Sequence, residues 1–322
     1  MPLESLRTLI ATDMEAVDEL IRRRLKSDVV LIRQISEYII GSGGKRLRPA
    51  LVLLAAGATG YRGHYHHDLA AVVEFIHTAT LLHDDVVDES DLRRGRRTAN
   101  AEFGNAASVL VGDFLYSRAF EMMVDVGSMR VMEVLAEATN TIAEGEVLQL
   151  LNAHNATIGE NVYLDVVRRK TAKLFEAAAQ IGAVLGEAPS ELEQGLAAYG
   201  RHLGTAFQLI DDVLDYSGDA AETGKNLGDD LNEGKPTLPL IRVIQHGSRS
   251  DAALVRRAIE EGGREGFESV LSAIRNTDAL AYSRACAGEE ARRACEALGG
   301  MDNSKYKQSL LELTRFAVER AY

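Results

Sequence analysis

The segment DLAAVVEFIHTATLLHDDVVD, residues 68–88, decides the fold. It lies in a stretch without proline, residues 50–188, and its apolar residues recur at helical spacing, which predicts one long helix. Asp84, Asp85 and Asp88 stand at its C-terminal end. Because residues four apart share one face of a helix, Asp84 and Asp88 are expected to project together.

This aspartate pattern occurs twice. LHDDVVD at residues 82–88 is echoed by LIDDVLD at residues 209–215, so Asp211, Asp212 and Asp215 form a second cluster at the end of a second apolar run. Aspartates near a helix C-terminus oppose the helix dipole and repel one another, so a cation is expected among them. Oxygen ligands without His or Cys favour Mg²⁺. The alternative is a solvated helix face, which the strongly apolar flanking residues disfavour.

The composition agrees with a helical protein. The 322 residues include no Trp, 6% aromatic residues and five prolines, a profile typical of long helices. We predict an all-α fold, a single large helical bundle around a central cavity, with the two aspartate clusters facing each other. No linker-like segment divides the chain, so residues 1–322 are predicted to form one domain.

Charge, cysteines and hydropathy exclude several classes. A net charge of −12 argues against nucleic acid as a partner. The two cysteines, Cys286 and Cys295, form no CxxC motif, so a reducing cytoplasm is expected. No apolar run approaches the roughly 20 residues of a transmembrane helix, and no signal peptide is recognisable at the start. We therefore expect a soluble cytoplasmic protein without a transmembrane segment.

Two basic segments accompany the aspartates. GGKRLRP at residues 43–49 places flexible backbone and three cations before a helix, an arrangement that suits a diphosphate. RRGRR at residues 93–97 follows the first cluster directly. Basic runs are usually solvated surfaces, but the neighbouring aspartates favour phosphate binding here.

Together these motifs identify a family resemblance. GGKRLRP, LLHDDVVDESDLRRG (81–95), FQLIDDVLDY (207–216) and GKPTLP (234–239) resemble the trans-isoprenyl diphosphate synthases, over essentially the whole chain. Three further stretches, residues 74–90, 104–114 and 142–150, resemble the bacterial members that make octaprenyl diphosphate for quinone side chains. The resemblance implies a homodimeric prenyltransferase that joins isopentenyl diphosphate to an allylic diphosphate such as farnesyl diphosphate.

The resemblance also assigns roles to single residues. It implies that the aspartates bind Mg²⁺ on the allylic diphosphate: Asp84, Asp85, Asp88, Asp211, Asp212 and Asp215. It implies a site for isopentenyl diphosphate made by Gly44, Lys45, Arg48, His77 and Arg94. It implies contacts to the allylic diphosphate from Arg93, Lys170, Thr171, Gln208, Lys225 and Lys235, with Lys170 and Lys225 also counted as catalytic.

Product length is expected to depend on an apolar tunnel beneath the first aspartates. Ala79 and Thr80 precede Asp84 by five and four residues, where the short-chain members of the family have an aromatic residue. Their small side chains are expected to let the growing chain pass. Met123 is the hypothesised floor, with Phe120, Met122 and Met132 as the other candidates, and ordinary core packing is the alternative for all four.

Three rival functions remain open at this stage. A class I terpene cyclase also uses a DDxxD motif, but its family pairs that motif with an Asn/Ser/Glu triad. A di-iron bundle would need a second ExxH beside Glu74–His77, and the sequence has none. A non-catalytic helical scaffold predicts no Mg²⁺-dependent release of diphosphate.

Overall fold

The computed structural model describes residues 4–41, 44–93, 95–217, 227–263 and 265–320, apart from the Ile40 side chain. It confirms the all-α prediction. Helices dominate the described residues, and the strands β1 (Leu92–Arg93) and β2 (Arg96–Arg97) form one short antiparallel ribbon.

The helices of the first half follow the apolar segments of the sequence. Their bounds are α1 Glu4–Leu9, α2 Ala11–Arg24, α3 Val30–Gly41, α4 Leu47–Ala58, α5 Tyr65–Val87, α6 Ala99–Phe103, α7 Asn105–Val126 and α8 Met129–Asn152. Helix α5 is the predicted 68–88 helix, extended by one turn at its start. Helix α4 begins before Pro49, which lies in its first turn, where a missing N–H costs nothing.

The helices of the second half include one irregular turn. Their bounds are α9 Glu160–Val167, α10 Lys173–Leu185, α11 Ser190–Ser217, α12 Asp229–Asn232, α13 Leu238–His246, α14 Arg249–Glu261, α15 Phe267–Asn276, α16 Ala279–Ala297 and α17 Lys305–Glu319. A π-helical turn, Arg168–Ala172, joins α9 to α10. Sequence periodicity alone predicts a single helix across this region.

The chain divides into two compact units. Unit 1 comprises Met1–Thr139, Leu174–Gly200 and Ala297–Leu313. In it α5 packs against α2, α4 and, most extensively, α7. Fully buried side chains of α5, such as Phe75, Ile76 and Leu82, form its core. Burial of each such side chain contributes about 1.5–3 kcal/mol, so the apolar face of α5 fixes where its C-terminal aspartates lie.

Unit 2 comprises Asn140–Lys173, Arg201–Glu296 and Thr314–Tyr322. One of its apolar clusters includes Tyr163, Leu209, Ile210 and Leu214, so it surrounds the second aspartate motif. The divisions fall inside helices, including α8 and α11, and the single domain over residues 1–322 stays a prediction. Among the described residues, no helix has both the length and the apolar character that a membrane span requires.

Candidate active site

The first aspartate cluster lies at the C-terminal end of α5 in unit 1. Asp84 and Asp85 occupy the last turn and Asp88 is the C-cap. Asp84 and Asp88 are partly exposed, whereas Asp85 is buried. Burial raises the pKa of Asp85, and the guanidinium of Arg93 partly offsets that rise. The three aspartates are therefore not equivalent, because Asp84 and Asp88 are partly exposed whereas Asp85 is not.

Arg93 holds Asp85 in place. Its Nε donates a 2.7 Å hydrogen bond to Oδ1 of Asp85, and its Nη2 lies 2.6 Å from the same oxygen. The ribbon β1–β2 turns at Gly95, whose φ of 72° suits glycine, and this turn returns the chain towards α5. Arg93 was predicted to contact the allylic diphosphate, and that role stays a prediction. Arg94 lies outside the described residues.

Arg48 and His77 meet in the same unit. The Arg48 guanidinium donates to Nε2 of His77 at 3.2 Å, and it stacks over the Phe175 ring at 4.3 Å. Two contacts of different kinds thus fix one planar cation beside α5. Lys45 and Gly44 are exposed just before α4.

Arg46, between these cations, behaves differently. It forms ion pairs with Glu74 and with Asp18, the latter at 3.6 Å. Its backbone is left-handed, with φ 49°. These ion pairs indicate a structural role for Arg46, which is not among the predicted substrate-binding residues.

The predicted chain-length residues differ in burial. Ala79 and Met123 are fully buried, while Thr80 is half-buried and donates its hydroxyl to the carbonyl of His77 at 2.8 Å. Of the other floor candidates, Met122 is also fully buried, but Phe120 is 37% exposed. Phe120 therefore fits a buried floor poorly, and Met123 remains the hypothesis.

The second aspartate cluster lies near the end of α11 in unit 2. Asp212 is buried, and its carboxylate accepts hydrogen bonds from the Tyr163 hydroxyl at 2.5 Å and from Nε2 of Gln208 at 2.8 Å. Burial, followed by the charge of Asp230, raises the pKa of Asp212 to about 8. The second position of this motif is thus buried and held by neighbours, like Asp85 in the first.

Asp211 and Asp215, the first and fifth positions, are partly exposed. Arg320 lies 2.6 Å from Oδ1 of Asp211, and its guanidinium stacks on Phe207 at 3.7 Å. The carboxylate of Asp215 accepts the backbone N–H groups of Asp229 and Asp230, each at 3.2 Å. These donors hold the two carboxylates in place at the end of α11.

The π-helical turn carries two of the predicted residues. Thr171 donates to Oε1 of Gln208 at 3.0 Å, so it is linked through Gln208 to Asp212. Nζ of Lys170 lies 2.5 Å from a carboxylate oxygen of Glu146. A Cβ at Gly145 would come within 2.7 Å of the backbone nitrogen of Lys170, so only glycine lets α8 approach this turn. Turns of this kind are frequent at functional sites.

Two further lysines were predicted to contact the allylic diphosphate, and the structure describes one of them. Lys235 pairs with Glu233 at 2.5 Å, directly after α12. Lys225 lies outside the described residues. The sequence did not single out Tyr163, Glu146 or Arg320. Tyr163 and Arg320 lie in none of the quoted motifs, Glu146 lies in the 142–150 stretch but received no role there, and each is remote along the chain from the residue it contacts.

The donor set fits a hard divalent cation. Both clusters offer carboxylate oxygens at partly exposed first and fifth positions, without His or Cys. Burial is the largest cause of the raised pKa of Asp212, and a local excess of negative charge from Asp230 and Asp211 adds to it. A cation at Asp211 and Asp215 would relieve that excess.

Comparisons with known proteins agree on one family. A family model described as polyprenyl synthetase matches residues 29–275. Octaprenyl diphosphate synthase of Escherichia coli (strain K12) is 54% identical over 321 residues, covering 99% of both chains. An all-trans-nonaprenyl-diphosphate synthase of Rhodobacter capsulatus is 46% identical, covering 97% of this chain and 96% of the relative. The crystal structure of a Caulobacter crescentus CB15 polyprenyl synthase, complexed with calcium and isoprenyl diphosphate, superposes with a TM-score of 0.96 at 45% identity. It covers 99% and 98% of the two chains.

Proposed function

Because this chain belongs to the polyprenyl synthetase family, we propose that it condenses isopentenyl diphosphate units with farnesyl diphosphate to make octaprenyl diphosphate. The enzyme is a prenyltransferase that adds isopentenyl diphosphate to an allylic diphosphate and releases diphosphate. The farnesyl primer, the octaprenyl product and its use in quinone side chains are the proposed part.

One observation carries the proposal. In both DDxxD motifs the second aspartate is buried and held by neighbouring side chains, Asp85 by Arg93 and Asp212 by Tyr163 and Gln208. The first and fifth aspartates of each motif are partly exposed on one helix face. A merely solvated acidic helix end does not need a buried, fixed carboxylate at the same position twice, so the repeat supports a binding role.

The fixed cations support the binding of two diphosphates. We assign Arg48 and His77, with Lys45, Gly44 and Arg94, to isopentenyl diphosphate. The Arg48 guanidinium is oriented by Phe175 and His77, which lowers the entropic cost of gripping a phosphate. We assign Arg93, Lys170, Thr171, Gln208, Lys225 and Lys235 to the allylic diphosphate.

The residues support an ionisation and condensation sequence. The C–O bond of the allylic diphosphate breaks, and its electron pair leaves with the diphosphate towards Lys170, Lys225 and Lys235. The double bond of isopentenyl diphosphate then attacks the allylic carbon, forming the new C–C bond. Loss of one proton, with the released diphosphate as the proposed base, restores a double bond. The protein supplies charge and orientation, and no side chain needs to act as a nucleophile.

A divalent metal is implied for this family, since a relative was crystallised with calcium and isoprenyl diphosphate. We propose Mg²⁺ as the ion in this enzyme, held by Asp84 and Asp88 and by Asp211 and Asp215, with Asp85 and Asp212 as supporting members of the clusters. When bound, it supplies positive charge that stabilises the departing diphosphate. The carboxylate oxygens of the two motifs are the ligands that Mg²⁺ prefers.

Product length is proposed to depend on the buried residues of unit 1. Relatives that make eight-unit and nine-unit chains are both similar to this chain, so family membership alone leaves the length open. Ala79 and Thr80 carry small side chains on α5, whose 23 residues extend over about 34 Å. We propose that the buried Met123 limits the chain at eight units.

A homodimer is proposed from the exposed side of α7. Leu110, Phe120 and Val124 are 67%, 37% and 64% exposed. Leu110 and Val124 are two heptads apart in sequence, which places them on one face of α7 and gives an exposed apolar stripe. A second copy of the chain is the proposed occupant of this stripe. Light scattering of a Leu110→Glu, Val124→Glu variant is expected to show monomers, and dimers of unchanged stability would contradict the assignment.

The cytoplasmic location stays a prediction.

The central experiment measures the product. The protein is incubated with farnesyl diphosphate, radiolabelled isopentenyl diphosphate and Mg²⁺, and the labelled chains are sized. We expect octaprenyl diphosphate, with a loss of at least about a hundredfold in Asp84→Asn, since a metal ligand is removed. The matched control is Glu133→Gln, an exposed carboxylate of α8, which should retain full activity. Absence of label in any chain would overturn the proposal.

A further inference from the structure

A histidine cluster lies at the start of α5, remote from the aspartates. His66 and His67 occupy the first turn of α5, and Asp13 lies in the first turn of α2. Nε2 of His67 is 2.9 Å from Oδ1 of Asp13, and Nε2 of His66 is 3.5 Å from the same oxygen. Prenyl transfer assigns no role to these three side chains.

We propose that Asp13, His66 and His67 bind a divalent transition-metal ion, with Zn²⁺ as the best chemical match. Their three candidate ligand atoms all lie within 4.8 Å of one another. Zinc bonds of about 2.0–2.2 Å in tetrahedral geometry separate neighbouring ligand atoms by about 3.3–3.6 Å. The two separations from Asp13, 2.9 and 3.5 Å, lie close to that range, and the separation between the two imidazole nitrogens is at most 4.8 Å.

The ligand types distinguish this cluster from the aspartate motifs. Two imidazoles and one carboxylate suit Zn²⁺, Ni²⁺ or Cu²⁺, whereas Mg²⁺ and Ca²⁺ prefer oxygen ligands alone. The site is therefore expected to bind an ion that differs from the one proposed for prenyl transfer.

The surroundings hold the two rings for binding. The imidazole centroids lie 3.9 Å apart, and the Tyr61 ring packs edge-on against His66 at 5.5 Å. The side chains of His66, His67 and Asp13 are 16%, 25% and 37% exposed, so an ion can enter a partly desolvated site. Among the residues that the structure describes, Nδ1 of His66 has no hydrogen-bond partner, so the contact with Asp13 is the polar contact that directs this ring.

The position in the fold suggests what the ion does. It would join α2 to the first turn of α5, and the first aspartate motif lies about 27 Å further along α5. The positive end of the α5 dipole disfavours a cation there, and the Asp13 carboxylate compensates for it. The ion is thus expected to stabilise unit 1 without entering the prenyl transfer reaction.

Calorimetry on the full-length, metal-free protein tests the proposal. Excess Mg²⁺ is present to occupy the aspartate motifs, and Zn²⁺ is the titrant. We expect about one equivalent of Zn²⁺ to bind the unmodified protein. His67→Gln and Asp13→Asn should weaken that binding at least about tenfold, because each removes one ligand. His64→Gln, an exposed histidine one residue before α5, is the matched control and should bind as the unmodified protein does.

Two results would overturn the proposal. One is that the unmodified protein binds no Zn²⁺ in the presence of excess Mg²⁺, and the other is that His67→Gln binds Zn²⁺ as tightly as the unmodified protein does. Should a variant fail to fold, anomalous diffraction from zinc-soaked crystals of the unmodified protein decides the question. A zinc peak bonded to both imidazoles supports the site, and its absence there refutes it. Retained Mg²⁺-dependent prenyl transfer in His67→Gln separates this result from a failure of the proposed function.

Discussion

The Tyr163 hydroxyl donates a 2.5 Å hydrogen bond to the buried carboxylate of Asp212, 49 residues further along the chain. Gln208 donates to the other oxygen at 2.8 Å. Despite both donors, burial and the neighbouring Asp230 raise the pKa of Asp212 to about 8. The folded state therefore binds a proton that the unfolded chain, with an aspartate pKa of about 4, releases.

This raised pKa makes stability depend on pH. Stabilisation by protonated Asp212 is fully present below about pH 4 and is lost as the pH rises to about 8. We expect the melting temperature of the protein in chelator to fall between pH 5 and 8. Asp212→Asn should flatten this fall and melt at least about 2 °C higher at pH 8, equivalent to roughly 1 kcal/mol. The control, the exposed Asp302→Asn, should keep the original profile. Parallel profiles for all three proteins would contradict the assignment.

Gln208 links Thr171 of the π-helical turn to Asp212, and Gln208→Leu breaks both hydrogen bonds. We expect a fall of about 10- to 100-fold in kcat/KM for the allylic substrate, equivalent to the roughly 1.4–3 kcal/mol of two orienting hydrogen bonds. KM for isopentenyl diphosphate should change little. Steady-state kinetics with each substrate varied in turn makes the measurement. Gln194→Leu, exposed on the same helix, serves as control, and equal losses in both variants would refute the link.

Arg93 and the buried Asp85 form an ion pair, so the contribution of each side chain to stability is expected to depend on the other. Arg93→Gln should lower the free energy of unfolding by about 1–3 kcal/mol, because it leaves a buried carboxylate without its charged donor. Adding Asp85→Asn should recover part of that loss. Denaturant unfolding gives both values, and the exposed Arg96→Gln of the same ribbon is the control. Strict additivity of the two substitutions would show that the pair is not coupled.

Arg46 and Arg48 are two residues apart but should respond differently. Arg46 pairs with Glu74 and Asp18, whereas Arg48 rests on Phe175 and His77. Arg48→Ala should raise KM for isopentenyl diphosphate about tenfold or more, since a charge-assisted phosphate contact is lost. Arg46→Ala should lower the melting temperature instead and leave that KM nearly unchanged. The same rise in KM for both variants would contradict the assignment of Arg48.

The sequence predicted the features that depend on local pattern. Helix α5 and the end of α11 follow from apolar periodicity, and their aspartates lie near the helix ends where the repeated motif placed them. Such features need only neighbours along the chain, which is why single-sequence reasoning reaches them.

Features that depend on distant partners were not predictable. The π-helical turn Arg168–Ala172 interrupts a region whose periodicity fits one helix, because five residues are too few to shift the pattern. Tyr163 and Arg320 hold Asp212 and Asp211 from 49 and 109 residues away, and a single Tyr or Arg carries no signal of such a contact. The difference between buried and exposed aspartates within one motif likewise needs the packed structure.

Substitution of Met122 and of Met123 distinguishes a role in product-length control from ordinary core packing. Both side chains are fully buried on α7, so an Ala substitution at either position leaves a cavity that costs about 2–5 kcal/mol. Successive residues point about 100° apart around a helix, so the two cavities open in different directions. If Met123 limits the growing chain, Met123→Ala should shift the product distribution upward by at least one isoprene unit, whereas Met122→Ala should lower only the melting temperature. Chromatographic sizing of labelled products measures the shift. An unchanged product from Met123→Ala, in a protein that still folds and turns over, would leave Met123 as core and place the floor elsewhere in the enzyme.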